Sequence, residues 1–326
     1  MSEMKTSLLV SPGGDGWFNL AAEEFLVDST GPEDAVIYLF INTNAVIIGR
    51  NQNPWAECRL KKMEEDGVQL VRRISGGGAV YHDRGNINFS FIMGKERYDL
   101  RKQMEIICSA VRSMGIECVL SGRNDITAGG RKFSGNAFCE RAQAKMHHGT
   151  LLISTDLEKL QEYLNVDPAK LESKGIRSVR SRVCNLSEFD SGITTEKTLN
   201  ILRQACFRAY GECREIGVDD LDERDLEKYV RKHSSAEWLT GSTPRFDYEI
   251  KHRFVWGSVQ VLLRLCGGRV DSLDVFSDAN DILIREKICG CLVGAEFGSA
   301  PLAEALCRGD DPRLEDLAEY IITLEL

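Results

Sequence analysis

Four short stretches of the chain concentrate groups that bind anions rather than attack carbonyls. Arg72 to Ile92 (RRISGGGAVYHDRGNINFSFI) holds a basic pair, three consecutive glycines, then His82, Asp83 and Asn86, all between two apolar runs. Ser121 to Ile126 (SGRNDI) adds Asn124 and Asp125, Gly129 to Phe138 (GGRKFSGNAF) places Lys132 between glycine-bearing turns, and His147-His148-Gly149-Thr150 precedes an apolar run. Gly76, Gly77 and Gly78 remove three side chains at once, so the backbone N–H groups can approach a ligand through dihedrals closed to other residues. Successive N–H groups on such a turn form an anion-binding nest, to which Arg72 and Arg73 would add charge. A tight turn whose glycines only avoid clashes is the equal alternative. A lysine held between glycines presents a point charge to phosphate or carboxylate, against the alternative of a surface lysine.

Several chemistries are excluded by what surrounds these groups. No Lys-Ser or Lys-Thr follows the glycines, so the loop is not a P-loop, and Val80 to Arg84 does not open the long apolar helix of a dinucleotide fold. The chain lacks a G-x-S-x-G elbow and an H-E-x-x-H pair. Adjacent histidines on a strand face opposite sides, so His147 and His148 are no bidentate metal pair. Cys289-Gly-Cys291 has no second pair or nearby histidine to complete a zinc site. What remains suits oxyanion stabilisation better than nucleophilic attack. Carboxyl activation by ATP needs that arrangement: the carboxylate attacks the α-phosphate, pyrophosphate leaves, and the protein positions and neutralises. A hydrolase built from Ser75, His82 and Asp83 is the alternative, although residues so close in sequence rarely form a triad.

The elements that must position these groups follow from periodicity. Val68 to Arg73 and Asn88 to Ile92 read as the strands flanking the glycine loop. Phe18, Ala21, Ala22 and Phe25 share one face of an early helix. Ala35 to Ile41 and Ala45 to Ile48 read as consecutive strands joined by Asn42-Thr43-Asn44 as a hairpin. Asn53 as cap and Pro54 at the first position open a helix that Gly67 stops, with Leu60 and Met63 inward. Arg50 and Asn51, before it, either face a ligand or stabilise the turn. Asp99 to Met114 is an amphipathic helix with Met104, Ile107, Val111 and Met114 on one stripe, and Ile116 to Leu120 is the next strand. Helices are expected from Asp156, from Thr195 to Tyr210 and within Asp219 to Lys232, with a basic loop at Lys174 to Val183 between the first two. Gly241 to Pro244 marks a boundary, beyond which Val259 to Leu265 alternates with a period of two and Leu314 to Ile322 closes as a helix.

With 326 residues, two domains are the better expectation, at 1–240 and 245–326. Hydrophobic residues at 43% and charged ones at 28% fit an ordinary soluble chain, and the net charge of -9 argues against a general nucleic-acid binder. No apolar run is long enough to span a membrane, and the amino terminus does not read as a signal peptide. The 11 scattered cysteines are expected to be reduced thiols in the cytoplasm.

Six segments in the same order (IGRNQNPWAE, RRISGGGAVYHDRGNINFSF, SGRNDI, GRKFSGNAF, HHGTLL and KGIRSVRSRV) closely resemble the lipoate–protein ligase A family over nearly all of residues 35 to 190, and more weakly beyond. The resemblance implies an α+β (mixed α/β) fold: a catalytic domain similar to biotin protein ligases and class II aminoacyl-tRNA synthetases, plus a small α+β accessory domain. It implies that ATP and Mg2+ convert lipoate, or octanoate, to acyl-AMP with release of pyrophosphate. The acyl group then passes to a specific lysine of apo lipoyl domains, in 2-oxoacid dehydrogenase acyltransferase subunits or the glycine cleavage H protein. Lys132 resembles the family lysine that contacts the lipoate carboxyl and the α-phosphate, and so is the catalytic candidate. Arg72, Ser75, Gly77, Gly78 and Ala79 resemble the loop beside the acyl chain and adenylate, with His82 and Asp83 supporting it. Asn86, Asn124 and Asp125 resemble the magnesium–phosphate region, while His148 and Gly149 match the wall of the acyl tunnel, with Thr150 and Leu152 nearby. The short Thr127-Ala128-Gly129-Gly130 connector departs from members with a longer loop. Two other functions compete: a cysteine-dependent octanoyl or lipoyl transferase using Cys139 or Cys184, and a noncatalytic lipoyl-domain binder. A monomer without nucleic-acid or membrane partners is expected.

Overall fold

The computed structural model describes residues 6–11, 13–122, 124–165, 183–211, 213–240, 247–324 and 326. The basic loop read at Lys174 to Arg182 and the boundary at Gly241 to Pro244 lie outside the described residues. The chain divides into two compact units: Met1–Ile47, Cys58–Arg72 and Val80–Leu239 form the first, and Ile48–Glu57, Arg73–Ala79 and Thr240–Leu326 the second.

In chain order up to Leu239 the strands are β1 (Thr6–Val10), β2 (Ala35–Phe40), β3 (Ala45–Ile48), β4 (Gln69–Arg72), β5 (Val80–His82), β6 (Asn86–Gly94), β7 (Cys118–Ser121), β8 (Asp125–Ala128), β9 (Arg131–Glu140), β10 (Ala144–Leu152) and β11 (Arg214–Ile216). The helices over the same span are α1 (Gly16–Ser29), α2 (Pro54–Glu57), α3 (Leu60–Glu65), α4 (Leu100–Arg112), α5 (Leu157–Tyr163), α6 (Thr195–Tyr210), α7 (Glu223–Ser234) and α8 (Ala236–Leu239). An eight-stranded sheet runs β11-β1-β2-β6-β10-β9-β8-β7, parallel at β11-β1-β2 and antiparallel from β2 onward.

Strand alternation gives this sheet two unlike faces. Ile37, Leu39, Ile87, Phe89, Phe91 and Leu151 pack with Met104, Ile107 and Val111 of α4 and Leu202 and Cys206 of α6 in one core. The register Tyr38↔Ser90↔His148 and Phe40↔Asn88↔Thr150 puts the polar residues of β6 and β10 together on the other face. Asp99 caps α4 by accepting from the Lys102 N–H at 3.0 Å, and Gly115 past its end sits at φ 82°.

Two expectations are corrected. β2 and β3 are not a hairpin: β2 lies in the large sheet, whereas β3 is the centre of a separate β4-β3-β5 sheet. Both are continuous apolar runs, and periodicity cannot say which partner such a strand takes. Asn42 between them is fully buried, its amide accepting from Asn19 and donating to His82, which ties the connection to α1 and β5. The helix expected between Asn53 and Gly67 is two short ones, α2 and α3, separated at Cys58, which bridges to Leu164.

The second unit pairs β12 (Tyr248–Phe254), β13 (Gly257–Cys266) and β14 (Arg269–Ser277) antiparallel, with α9 (Ile284–Leu292), α10 (Ser299–Cys307) and α11 (Pro312–Ile322) packed in its core. Gly267 and Gly268, at φ 57° and 76°, make the turn between β13 and β14. Asn51 serves this unit structurally: its carbonyl accepts from the Ser277 N–H at 2.6 Å and its amide donates to the Ile282 carbonyl at 3.0 Å. Among the described residues no helix is long and apolar enough to cross a membrane.

Helix α1 is held to α7 by a buried charge. Glu24 accepts from Lys232 at 2.6 Å, from His233 at 2.8 Å and from Arg141 at 3.2 Å. Burial by itself would raise the Glu24 pKa, but the hydrogen bonds from His233 and Lys232 outweigh it and hold the carboxyl at about 2, below 4.5. The folded pKa lies below the unfolded one. The contribution, on the order of 3 kcal/mol, is therefore present above the unfolded value and lost as pH falls toward 2. Glu24→Gln is accordingly expected to flatten the acid limb of the stability curve; an unaltered slope in acid titrations monitored by circular dichroism would refute this.

Candidate functional site

Lys132 owes its direction to an irregularity in the ladder. Asp125 pairs with Gly135 and Ile126 with Ser134, but Thr127 then pairs with Lys132, so Phe133 is the extra residue of a bulge. On a regular strand Lys132 and Gly135, three apart, would point to opposite faces; the bulge turns the lysine onto the face of Asp125 and Gly135. Phe133 is left fully buried in the core. The Lys132 Nζ lies 2.7 Å from Asp125 Oδ1, and a Cβ added at Gly135 would come within 2.9 Å of that nitrogen. The Lys132 side chain is 37% exposed, so the amine is half-buried at an open face and not enclosed, as an inward-presented lysine would be. Thr150 reaches the same place, its Oγ1 accepting from the Gly135 N–H at 3.3 Å.

The histidines divide as strand alternation requires. His148 lies on the polar face, with Nδ1 2.8 Å from Glu23 Oε1, and the Ser90 hydroxyl donates to the same oxygen at 2.5 Å. His147 turns into the core among Phe89, Phe91 and Phe138. Burial, and then the neighbouring His148, push its pKa down to about 3, so it is neutral. Gly149 must be glycine for packing: a Cβ there would meet Phe89 Cζ and Asn136 Oδ1 at 2.6 Å and the Gly135 carbonyl at 2.8 Å. Glu23, Ser90 and Asn136 were not singled out by the sequence pattern. For Glu23 there was one signal, a carboxylate directly following the apolar run Leu20-Ala21-Ala22 on a helix, where a buried position demands a partner.

His82, Asp83 and Asn86 form a supporting corner in the first unit. His82 is buried with Nδ1 3.2 Å from the Asn42 amide. Asp83 accepts from the Gly85 N–H and, through its other oxygen, from the Asp156 N–H that opens α5, both at 2.8 Å. Asn86 is fully buried; its amide donates to Asn88 Oδ1 at 3.2 Å, and its own Oδ1 has no protein partner among the described residues.

A magnesium site shared by Asn86, Asn124 and Asp125 does not fit this sheet. β6 and β8 are three strands apart, roughly 14 Å, whereas one Mg2+ holds its ligands at about 2 Å. Asp125 and Asn124 are adjacent, while Asn86 opens β6, three strands away in the sheet. Among the described residues no cluster of three or more histidine, cysteine, aspartate or glutamate side chains is arranged to hold a metal ion. A hard cation at Asp125 would thus need phosphate oxygens to complete its shell.

The glycine loop, with Ser75, Gly77, Gly78 and Ala79, belongs to the second unit. A Cβ at Gly76 would come within 2.4 Å of the Ala279 carbonyl, and Gly77, at φ 94°, donates its N–H to that carbonyl at 3.1 Å. Arg73 wraps the loop, donating to the Gly76 carbonyl at 2.7 Å and the Gly78 carbonyl at 2.8 Å. In the first unit, Arg72 donates to the Trp238 and Leu239 carbonyls, both at 2.8 Å, and the Trp238 indole donates back to the Arg72 carbonyl at 3.0 Å. Both arginines read as anion-binding charge thus contact main-chain carbonyls. Cys139 and Cys184 are buried, and burial raises the Cys184 thiol pKa.

Residues 15–207 match the family model described as lipoyl protein ligase A/B catalytic domain, and residues 243–321 match bacterial lipoate protein ligase C-terminus. The chain is 42% identical to a protein of Psychrobacter cryohalolentis named lipoate-protein ligase A, over 98% of each chain. Among solved structures it is similar to P. falciparum LipL1 in complex with lipoate, with TM-score 0.85 and 28% identity over 98% of this chain and 99% of the other. A bipartite lipoate protein ligase of Thermoplasma acidophilum, solved with its E2 lipoyl domain, covers 74% of this chain and 99% of its own at TM-score 0.64 and 29% identity. A lipoate-protein ligase A bound with ATP covers 73% and 99%, at TM-score 0.62 and 28% identity.

Two glycine substitutions separate positioning from packing. Gly135→Ala should displace the Lys132 amine, a flexible end that can move, and lower turnover about tenfold with little loss of stability. Gly149→Ala meets backbone and an aromatic ring and should destabilise by about 1–3 kcal/mol. Thermal melts and initial rates on both variants check this; equal melting losses for the two would contradict it.

Proposed function

Because the chain belongs to the lipoyl protein ligase A/B family, we propose that it activates lipoate, or octanoate, with ATP and transfers the acyl group to a lysine of apo lipoyl domains. The observation that carries this reading is Lys132 on the open face of the sheet, its amine over Gly135 and beside Asp125, in the segment GRKFSG. A lipoate carboxylate oxygen attacks the α-phosphorus of ATP, the bond to the bridging oxygen breaks, and pyrophosphate departs with the electron pair. Lys132 neutralises the carboxylate and the phosphate charge that grows in the transition state. Its pairing with Asp125 at 2.7 Å parks the amine close by until a stronger anion arrives. The neutral amine of the acceptor lysine then attacks the acyl carbonyl, polarised by Lys132, and AMP leaves. Lys132 attacks nothing itself; its work is charge and position.

Mg2+ with the ATP would supply charge to offset the phosphates; of this chain's residues, Asp125 with Asn124 would hold it. The polar face around His148 and Thr150, with Gly149 between them, is assigned to the acyl group, and the Ser75 to Ala79 loop with Arg72 to the adenylate, on the strength of their motifs. Each methylene of the acyl chain that apolar side chains cover contributes about 0.8 kcal/mol. Kinship with biotin protein ligases and class II aminoacyl-tRNA synthetases belongs to the same proposal and rests on the shared chemistry of carboxyl adenylation. The acceptors proposed are lipoyl domains of 2-oxoacid dehydrogenase acyltransferase subunits and the glycine cleavage H protein. None of the eleven cysteines is in a disulfide, which supports a reducing compartment such as the cytoplasm. A cysteine nucleophile is disfavoured at Cys184, whose thiol donates to the Arg131 carbonyl at 3.6 Å and is kept protonated by burial.

The test combines lipoate, Mg-ATP and an apo lipoyl domain, following AMP and trapped acyl-AMP. Acylation should require ATP and release AMP, and Lys132→Ala should lower acyl-AMP formation by about 100-fold or more without shifting the melting temperature. Normal AMP-forming turnover in that variant, or ATP-independent transfer from an acyl-carrier donor, would remove this reading.

A further inference from the structure

Behind the polar face, a chain of hydrogen bonds runs from α4 through the aromatic core to the strand end that bears Asp125. Gln103 and His147 are both fully buried, and no earlier assignment uses either. One terminal atom of the Gln103 amide lies 3.1 Å from His147 Nδ1, and His147 Nε2 lies 2.9 Å from Asn136 Oδ1. Asn136 in turn donates twice to one acceptor: its backbone N–H bonds the Asn124 carbonyl at 2.8 Å and its side-chain amide the same carbonyl at 2.9 Å, the amide nitrogen also reaching Ser134 Oγ at 3.4 Å. Asn124 is followed by Asp125, the partner of Lys132.

The protonation pattern of this chain can be assigned from its ends. Asn136 cannot turn its amide over, because its oxygen would then face the Asn124 carbonyl oxygen. Its Oδ1 must therefore accept, and His147 must donate from Nε2. The ring sits among three phenylalanines and is neutral, so it has a single N–H and Nδ1 is left as an acceptor. Gln103 must then present its amide nitrogen to Nδ1. That orientation also supplies a partner to Gln103 Nε2, which with the amide the other way round is a buried donor bonded to nothing among the described residues. A buried donor is costlier to leave unpaired than a carbonyl oxygen.

We propose that His147, as its Nε2–H tautomer, is a positioning residue for carboxyl adenylation: it orients Asn136, which holds Asn124 and thereby sets Asp125 against Lys132. The proposal rests on the reading of Lys132 given above. His147 touches neither substrate nor Lys132. Its effect passes through one donated hydrogen bond, and a side chain that preserves that bond should preserve the chemistry.

Two measurements on the full chain test it. Long-range 1H–15N spectra of protein labelled at its five histidines should show His147 with a protonated Nε2 and a bare Nδ1 at neutral pH; a protonated Nδ1, or an imidazolium, overturns the assignment. His147→Gln places an amide nitrogen near the Nε2 position, whereas His147→Asn reaches only the Nδ1 position. The two should lose comparable melting temperature. The Gln variant should keep kcat for acyl-AMP formation within about threefold and the Asn variant should lose about tenfold or more, with lipoate KM little changed in both. Equal kcat losses would mean the histidine only fills space, and would overturn the positioning role. Should both variants fold too poorly to assay, Gln103→Met decides: the Nε2–H signal and kcat should persist, since Asn136 alone dictates the tautomer, and loss of either overturns the proposal. Absence of acyl-AMP in the unaltered protein would sink the adenylation reading and this role with it; the tautomer measurement still decides the hydrogen-bond assignment separately.

Discussion

A slip of one residue between β8 and β9 is the constraint on which the candidate chemistry depends. It sends Phe133 into the core and Lys132 to the opposite face, so the same bulge anchors the strand and exposes the amine. The ion pair with Asp125 does not create this geometry. Both partners are more than a third exposed, and such pairs contribute about 1 kcal/mol or less. The ladder, with the aromatic core under it, decides where the lysine points, and the pairing only selects a position within that reach.

The remainder of the first unit works to keep that strand end still. Its sheet has an apolar face buried under α4 and α6 and a polar face that carries Asn88, Ser90, His148 and Thr150. Polar groups buried without partners would cost several kcal/mol in total, so each is tied to another element. Glu23 takes His148 and Ser90, Glu24 takes Lys232 and His233, and Asn136 takes His147 and Asn124. These ties join helix to sheet, helix to helix and strand to strand. They convert packing, which is indifferent to direction, into a fixed orientation of side chains, which is what stabilising a developing charge requires.

Elements whose signal is local were legible in the sequence. The α4 stripe, the β13 alternation and the α11 helix all appear where periodicity puts them. Failures came where a long-range choice decides. β2 and β3 are both apolar strands, and nothing within them says that they join different sheets. Arg72 and Arg73 look like exposed charge beside a glycine turn, but the carbonyls they meet belong to segments whose positions only folding reveals.

By itself the sequence determined the class of chemistry. Glycines, amides and one lysine without a nucleophile or a metal cluster leave charge stabilisation as the task, and the order of the motifs identified the family. Tertiary structure decided which of those groups meet. Register is the reason: a strand exposes alternate residues, one inserted residue reverses the alternation, and the sequence around Lys132 reads the same with or without the bulge. That the lysine faces Asp125, that His148 rather than His147 lies on its side of the sheet, and that a buried imidazole stands behind both are consequences of pairing between strands far apart in the chain.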